Sequence, residues 1–282
     1  MNGRFFAPAK INLSLRVFAP DATGYHPLDT LFCALELADE IAFAPANGGI
    51  QLEVSGAELG PAQANLAYRA AQEFYRVTGL SPRVSMRLSK RIPAGGGLGG
   101  GSSDAATVLH ALNQLHQSVV PQDDLMSMAA RLGSDVAFFL CGSSLAHATG
   151  RGEVLRMLPP LPRAGVILLI PTFGIATADA YRWLDEGRAY SPADSQSVSV
   201  VDWDTVAQRA HNAFETVVFR KHPYLAELKS ALRESGARIA LLCGSGSSLF
   251  GIYATLQDRD AAADNFREIV TDAAVISTVT RA

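Results

Sequence analysis

Of residues 95–101 six are glycine and one, Leu98, is not, and Ser102, Ser103 and Asp104 follow at once. Glycine loses more backbone freedom on folding than any other residue, so a run this dense must supply something that only missing side chains allow. A bare row of backbone amides is such a thing. Ala105, Val108, Leu109 and Leu112 then recur at the i, i+3, i+4, i+7 spacing of a helix with one buried face. The glycines therefore lead into a helix N-terminus, with Ser102 and Ser103 as its expected caps, and the unpaired amides of the first turn add the positive end of the helix dipole. Loop and helix together predict an anion site of the kind that holds phosphate. A flexible linker would also be rich in glycine and serine. Against it, Val84, Met86 and Leu88 alternate with Ser85, Arg87 and Ser89 just upstream, a half-buried strand that places the loop inside a domain. A Walker loop would need a lysine where Gly101 or Ser102 stands, and Gly95, Gly97 and Gly100 match GxGxxG only by letter, with Pro93 and Ala94 between strand and glycines.

Other residues able to do chemistry stand at several places in the chain. Ile11, Leu13, Leu15 and Val17 alternate with Asn12, Ser14 and Arg16, so Lys10 and Asn12 share one strand face, where Lys10 is either a solvated edge lysine or a fixed ammonium. The turn DATGYH, freed by Gly24, presents Tyr25 and His26 side by side; alone it reads as ordinary loop chemistry. Asn65 can cap a helix over 65–78 whose buried face carries Leu66, Ala70 and Phe74. Asp135 precedes the apolar run 136–140 and could cap a short helix there. Asp104, in a first helical turn, is explained by the dipole or by a Mg²⁺ contact.

The elements that must position these residues alternate between strands and helices. Short strands are expected at 31–37, 41–43 and 50–54, and a helix opened by Pro121 carries Leu125, Met128, Ala129 and Leu132 on one face. Paired strands at 144–148 and 154–157 flank Thr149, Gly150, Arg151 and Gly152, and Pro159, Pro160 and Pro162 make a stiff break. The second half reads as a strand at 166–170, a helix at 177–184, a polar mobile loop at 187–199, and helical spacing at 212–218 and 223–235. The strand-turn-strand unit 239–253 around GSGSS, a helix at 258–270 and a strand at 274–279 close it. This is an α+β chain of two domains, 1–158 and 159–282.

Composition narrows the function. The 282 residues are 48% hydrophobic, enough for a sizeable core, and a formal net charge of −3 gives no general reason to expect a nucleic-acid backbone as partner. The three cysteines form no CxxC pair and the six histidines no HExxH, so neither a disulfide framework nor a dedicated transition-metal site is expected. No export signal is read at the start, and the one long uncharged stretch is broken by GSGSS, so a cytoplasmic chain without a membrane partner is expected.

PAGGGLGGGSSDAA resembles the nucleotide loop of the GHMP kinases, and APAKINL, GYH, LGSDV, PTFGIATADAY and GSGSS are similar to segments found elsewhere in that family. The resemblance covers nearly the whole chain. It implies a two-domain GHMP-kinase-like fold with the active site in the groove between the domains, ATP as phosphoryl donor and Mg²⁺ as helper. The ATP phosphates fall to Pro93, Ala94, Gly95, Gly96, Gly97, Leu98, Gly99, Gly100, Gly101, Ser102 and Ser103, with Asn65 on the adenine side. Lys10 and Asp135 become the catalytic pair, although Ala137 stands where the family often has proline. GYH implies an acceptor carrying a cytidine diphosphate, phosphorylated on its 2-hydroxyl in isoprenoid precursor synthesis by the non-mevalonate route. Its base would be held by Tyr25, His26 and Tyr181, with Asn12 adding a polar contact. The resemblance also puts GSGSS against the glycine loop, where spacing alone reads a plain hairpin turn. Kinases of the homoserine or mevalonate type have no cytosine to hold, and a nucleotide sensor without catalysis would need neither Lys10 nor Asp135. No residue is assigned to the metal, and oligomeric state stays open.

Overall fold

The computed structural model describes residues 2–192 and 202–282. The end of the polar loop expected at 187–199 lies outside the described residues from 193 onward, while its start is the last turn of a helix. By contacts the chain forms two compact units, each assembled from several stretches.

The first unit holds the chain up to Ala9, Leu37–Ala94 and Gly99–Ser143. Strand β1 (Gly3–Val17) starts in it, and β2 (Leu28–Pro45) ends in it beside β3 (Gly49–Ser55) and β4 (Arg83–Ser89). Strand β4 pairs antiparallel with β2, Ile41 opposite Leu88 and Phe43 opposite Met86, and parallel with β3. Two short strands are expected at 31–37 and 41–43; one long β2 runs through both, the residues between them, Ala38, Asp39 and Glu40, keeping extended backbone, with Glu40 paired to Ser89. Period-two alternation buries Ile41, Phe43, Val84, Met86 and Leu88 on a single face. Helices α1 (Leu66–Thr78), α2 (Gly100–Leu115), α3 (Gln122–Leu132) and α4 (Ser134–Leu140) complete the unit. Ala67, Ala70, Ala71 and Phe74 of α1 and Ala105, Val108, Leu109 and Leu112 of α2 are all buried, the small residues allowing close helix approach.

The second unit holds Lys10–Glu36, Gly95–Leu98 and Ser144–Ala282. Strand β5 (Leu145–Thr149) pairs with the early part of β2 and with β6 (Val154–Met157). Strands β7 (Gly165–Pro171), β9 (Ile239–Leu242), β10 (Leu249–Tyr253) and β11 (Ala273–Val279) form an antiparallel sheet in the order β11-β7-β10-β9. Among the helices are α5 (Thr177–Gly187), α6 (Trp203–Arg209), α7 (Glu215–Lys221), α8 (Pro223–Glu234) and α9 (Leu256–Ile269). The apolar stripes of α5, α7, α8 and α9 meet the sheet in a core containing Ile167, Leu169, Leu232, Leu242, Tyr253 and Phe266. The stretch 212–218 is not the continuous helix its spacing predicts: β8 (His211–Asn212) pairs parallel with β1 before α7 starts at Glu215. Asn212 turns its side chain back to accept from the Phe214 amide at 3.0 Å, the local hydrogen bonding by which asparagine competes with helix.

Candidate active site

Within the second unit, the glycine loop packs by its backbone. Gly95 and Gly97 take φ of +74° and +78°, the left-handed region that side chains resist. A Cβ on Gly97 would stand 1.9 Å from the Cys243 carbonyl oxygen, and one on Gly96 2.3 Å from Ser248 Oγ. Leu98, the exception among the glycines, is buried, and its carbonyl accepts from the Lys10 amide at 2.9 Å, so it pins the loop to β1. The GSGSS turn is buried throughout, as a plain surface hairpin would not be, and it faces Gly96 and Gly97. The Cys243 amide donates to the Ser248 carbonyl at 2.8 Å, and Asn212 Nδ2 donates to the Leu242 and Gly244 carbonyls, both at 2.8 Å. Burial pushes the Cys243 thiol up to about 12, so it stays protonated beside the loop.

Lys10 is not a solvated edge residue. It is 4% exposed, and its Nζ donates to Asn12 Oδ1 at 2.8 Å and lies 5.3 Å from the centre of the Phe32 ring. Asn12 Nδ2 donates to Thr30 Oγ1 at 2.8 Å, whose hydroxyl donates to the Ser14 carbonyl at 2.7 Å. This chain fixes the Asn12 amide with its oxygen toward the ammonium. A compact cation held in a low-dielectric wall is suited to orienting anionic oxygens.

In the first unit, Asn65 caps α1 as expected, its side chain accepting from the Ala67 amide at 2.9 Å. The start of α2 differs from expectation. Gly99, at φ +72°, takes the cap position, and Ser102 and Ser103 lie inside the first turn. Glycine at the cap leaves the first amides without a side-chain acceptor, which favours an external anion. Ser103 Oγ is buried without a hydrogen-bond partner. Asp135 lies half-buried in the first turn of α4, two residues after Gly133, which holds the cap position in its place.

Asp104 belongs to a buried ionic cluster that periodicity had not singled out. Lys90 Nζ donates to Asp104 Oδ2 at 2.6 Å and also to Asp39 Oδ2. Asp39 Oδ1 accepts from the amides of Arg91 and Ile92 at 2.5 and 2.8 Å. Burial pushes the Asp104 carboxyl up to about 7, with Lys90 pulling it down and Asp39 reinforcing the rise. The signal was present in the alternation: Asp39 is in phase with Ile41 and Phe43, and Lys90 with Val84, Met86 and Leu88, so both charges continue buried faces.

The second unit also gathers rings around His26. Its Nδ1 lies 2.9 Å from the Phe18 carbonyl and its Nε2 3.2 Å from Asp185 Oδ1, so both ring nitrogens face acceptors. Tyr181 stands 5.2 Å from the imidazole centre and Tyr190, which the sequence reading missed, 5.7 Å, each at 35°. The Tyr190 hydroxyl donates to Asp185 Oδ1 at 2.8 Å. Tyr25 is 51% exposed, and one face of its ring carries the Arg151 guanidinium at 3.6 Å. A half-exposed aromatic ring next to His26 in sequence suits a planar heterocycle.

Residues 65–143 match the family described as GHMP kinases N terminal domain, and residues 200–272 the one described as GHMP kinases C terminal. The chain is 41% identical to the 4-diphosphocytidyl-2-C-methyl-D-erythritol kinase of Pelotomaculum thermopropionicum, over 97% of this chain and 96% of that one. A crystal structure of a 4-(cytidine 5'-diphospho)-2C-methyl-D-erythritol kinase superposes with a TM-score of 0.85 at 35% identity, covering 99% of this chain and 100% of that one. A mevalonate kinase from L. major is similar in fold alone, at 13% identity and a TM-score of 0.73 over 100% and 96% of the two chains. No helix among the described residues is long and apolar enough to cross a membrane.

Proposed function

The chain belongs to the GHMP kinases, in the branch of the 4-diphosphocytidyl-2-C-methyl-D-erythritol kinases, and from that premise we propose that it moves the γ-phosphoryl of ATP to the 2-hydroxyl of 4-diphosphocytidyl-2-C-methyl-D-erythritol, giving the 2-phosphate and ADP. The observation that carries this reading is identity of 41% over nearly the full length of both chains. The ring cluster at His26 supports the cytidine over the homoserine and mevalonate alternatives.

The roles follow from the residues. Backbone amides of residues 95–101 and the first turn of α2 receive the phosphates, and Asn65 lies toward the adenine. Asp135, in the first turn of α4, accepts the proton of the attacking hydroxyl. Lys10, oriented by Asn12, places that hydroxyl and the transferred phosphoryl oxygens. His26, Tyr25 and Tyr181 hold the cytosine. The nucleotide belongs to domain 1–158, within which the N-terminal family match falls, and 159–282 forms the second domain.

Mg²⁺ fits poorly on the protein's own carboxylates: Asp104 is committed to Lys90, and the described residues assemble no cluster of three or more acidic, His or Cys ligands. The ion would arrive on the phosphate oxygens of ATP and neutralise their charge. The free thiols Cys33, Cys141 and Cys243 accord with a reducing cytoplasm.

Turnover of ATP by the purified protein is the test. With the cytidylated acceptor ADP should form, and with homoserine or mevalonate it should not; ADP formation with either of those, and none with the cytidylated substrate, would overturn the assignment.

A further inference from the structure

Six glycines make an accommodating phosphate cradle and a floppy one. Each costs more backbone entropy to order than any other residue, so a loop of this composition binds tightly only if something else fixes its ends. The chain leaves the first unit after Ala94 and re-enters it at Gly99, so residues 90–92 and the first turn of α2 are the two stems of the loop within that unit.

Both stems meet at one ionic cluster. Asp39 fixes the entering stem by accepting from the Arg91 and Ile92 amides, and Lys90 ties Asp39 to Asp104 on the returning stem. Lys90 and the two carboxylates are at most 4% exposed. The register of β2 against β4, with Glu40 opposite Ser89, continues to set Asp39 beside Lys90. Lys90 Nζ also lies 3.3 Å from where a Cβ on Gly100 would stand, so the ammonium sits directly under the start of α2. A cluster of one cation and two anions is not what stability alone selects, since buried ions seldom outperform apolar packing. Asp104 Oδ1 moreover has no hydrogen-bond partner.

We propose that Asp39, Lys90 and Asp104 form a clamp that crosslinks the stems of the glycine loop, making Lys90 and Asp104 positioning residues for ATP. This rests on the reading of the loop as the ATP site. The clamp holds the first amides of α2 at the spacing the phosphates require, and it leaves the acceptor's contacts untouched.

Asp104→Ala removes the tether yet leaves Lys90 paired with Asp39, so the protein should fold. Its Kd for ATP by titration calorimetry should rise about tenfold, while the KM for the cytidylated acceptor stays within about twofold. Asp104→Asn, whose amide oxygen can still accept from Lys90, should bind ATP nearly as wild type does. If Asp104→Ala does not fold, Asp104→Ser, too short to reach Lys90, takes its place. A folded Ala or Ser variant with wild-type ATP affinity overturns the clamp, as does an Asn variant as impaired as Ala. Failure of the wild-type protein to bind ATP would instead overturn the reading on which the clamp rests.

Discussion

Gly97→Ala and Gly95→Ala are chemically the same change at two positions of nearly the same backbone conformation, φ +78° and +74°. Placing an L-residue there costs about 1–2 kcal/mol at either site. They differ in what the new methyl meets. At Gly95 nothing lies within 4 Å, whereas at Gly97 the Cβ falls 1.9 Å from the Cys243 carbonyl oxygen, well below the 3.0 Å at which real contacts begin. That oxygen is backbone, held because the Gly246 amide donates to it at 2.9 Å, so loop and turn must separate by about 1 Å. Overpacking of this kind adds about 1–3 kcal/mol, giving an expected loss of about 2–5 kcal/mol for Gly97→Ala against about 1–2 for Gly95→Ala. Since Leu98 is bonded to the Lys10 amide, the displacement also reaches Lys10, and if that lysine acts as proposed a misplacement of about 1 Å costs about a hundredfold in rate. Urea unfolding of both variants, with turnover measured at a temperature where each is folded, checks both parts. Equal destabilisation of the two, or wild-type turnover in folded Gly97→Ala, would refute the claim that the glycine is there for close approach.

The remaining expectations concern the acid, the base site and pH. Asp135→Asn should fold with a near-normal melting temperature, since asparagine keeps the shape and caps about as well as aspartate, bind ATP, and lose about 10²- to 10⁴-fold in turnover; wild-type turnover would remove Asp135 from the mechanism. Tyr25→Ala should raise the KM for the cytidylated acceptor by about 1–3 kcal/mol of lost stacking and leave the KM for ATP nearly alone, so equal use of an acceptor lacking cytidine would count against the base site. Asp104 has a folded-state pKa raised from 3.8 to about 7, so the folded protein holds the proton more tightly than the unfolded chain. The resulting stabilisation is complete below about pH 4 and is lost as pH rises through about 7. Asp104→Asn, which cannot titrate, should gain stability relative to wild type across that window and no further above it; urea midpoints at pH 4 to 8 that differ by a constant amount would contradict the burial cost assigned to Asp104.

What could be read from the residues divides by the range of the interaction. The glycine loop, the helix it opens and the Asn65 cap are local: missing side chains, a 3.6-residue period and one side chain bonding two residues ahead. Lys10 was legible only as one of two options, because period-two spacing gives the face a side chain occupies and not what covers that face; the Asn12, Thr30 and Phe32 contacts decide it for burial. The Asp39, Lys90 and Asp104 cluster joins positions up to 65 residues apart. Yet its two strand members each continue an apolar face, and a charge in phase with a buried stripe must have a partner or the fold would not tolerate it. The partner of Lys90 is set by strand register, which no local pattern specifies. Ser102 and Ser103 show the reverse case, in which a sound local rule gave way: serine is the better cap by propensity, but the cap position must adopt φ +72° here, and glycine alone does so without strain. With glycine in place the cap residue offers no side-chain oxygen to the first amides of α2, so the weaker cap is the one that suits the proposed phosphate contact.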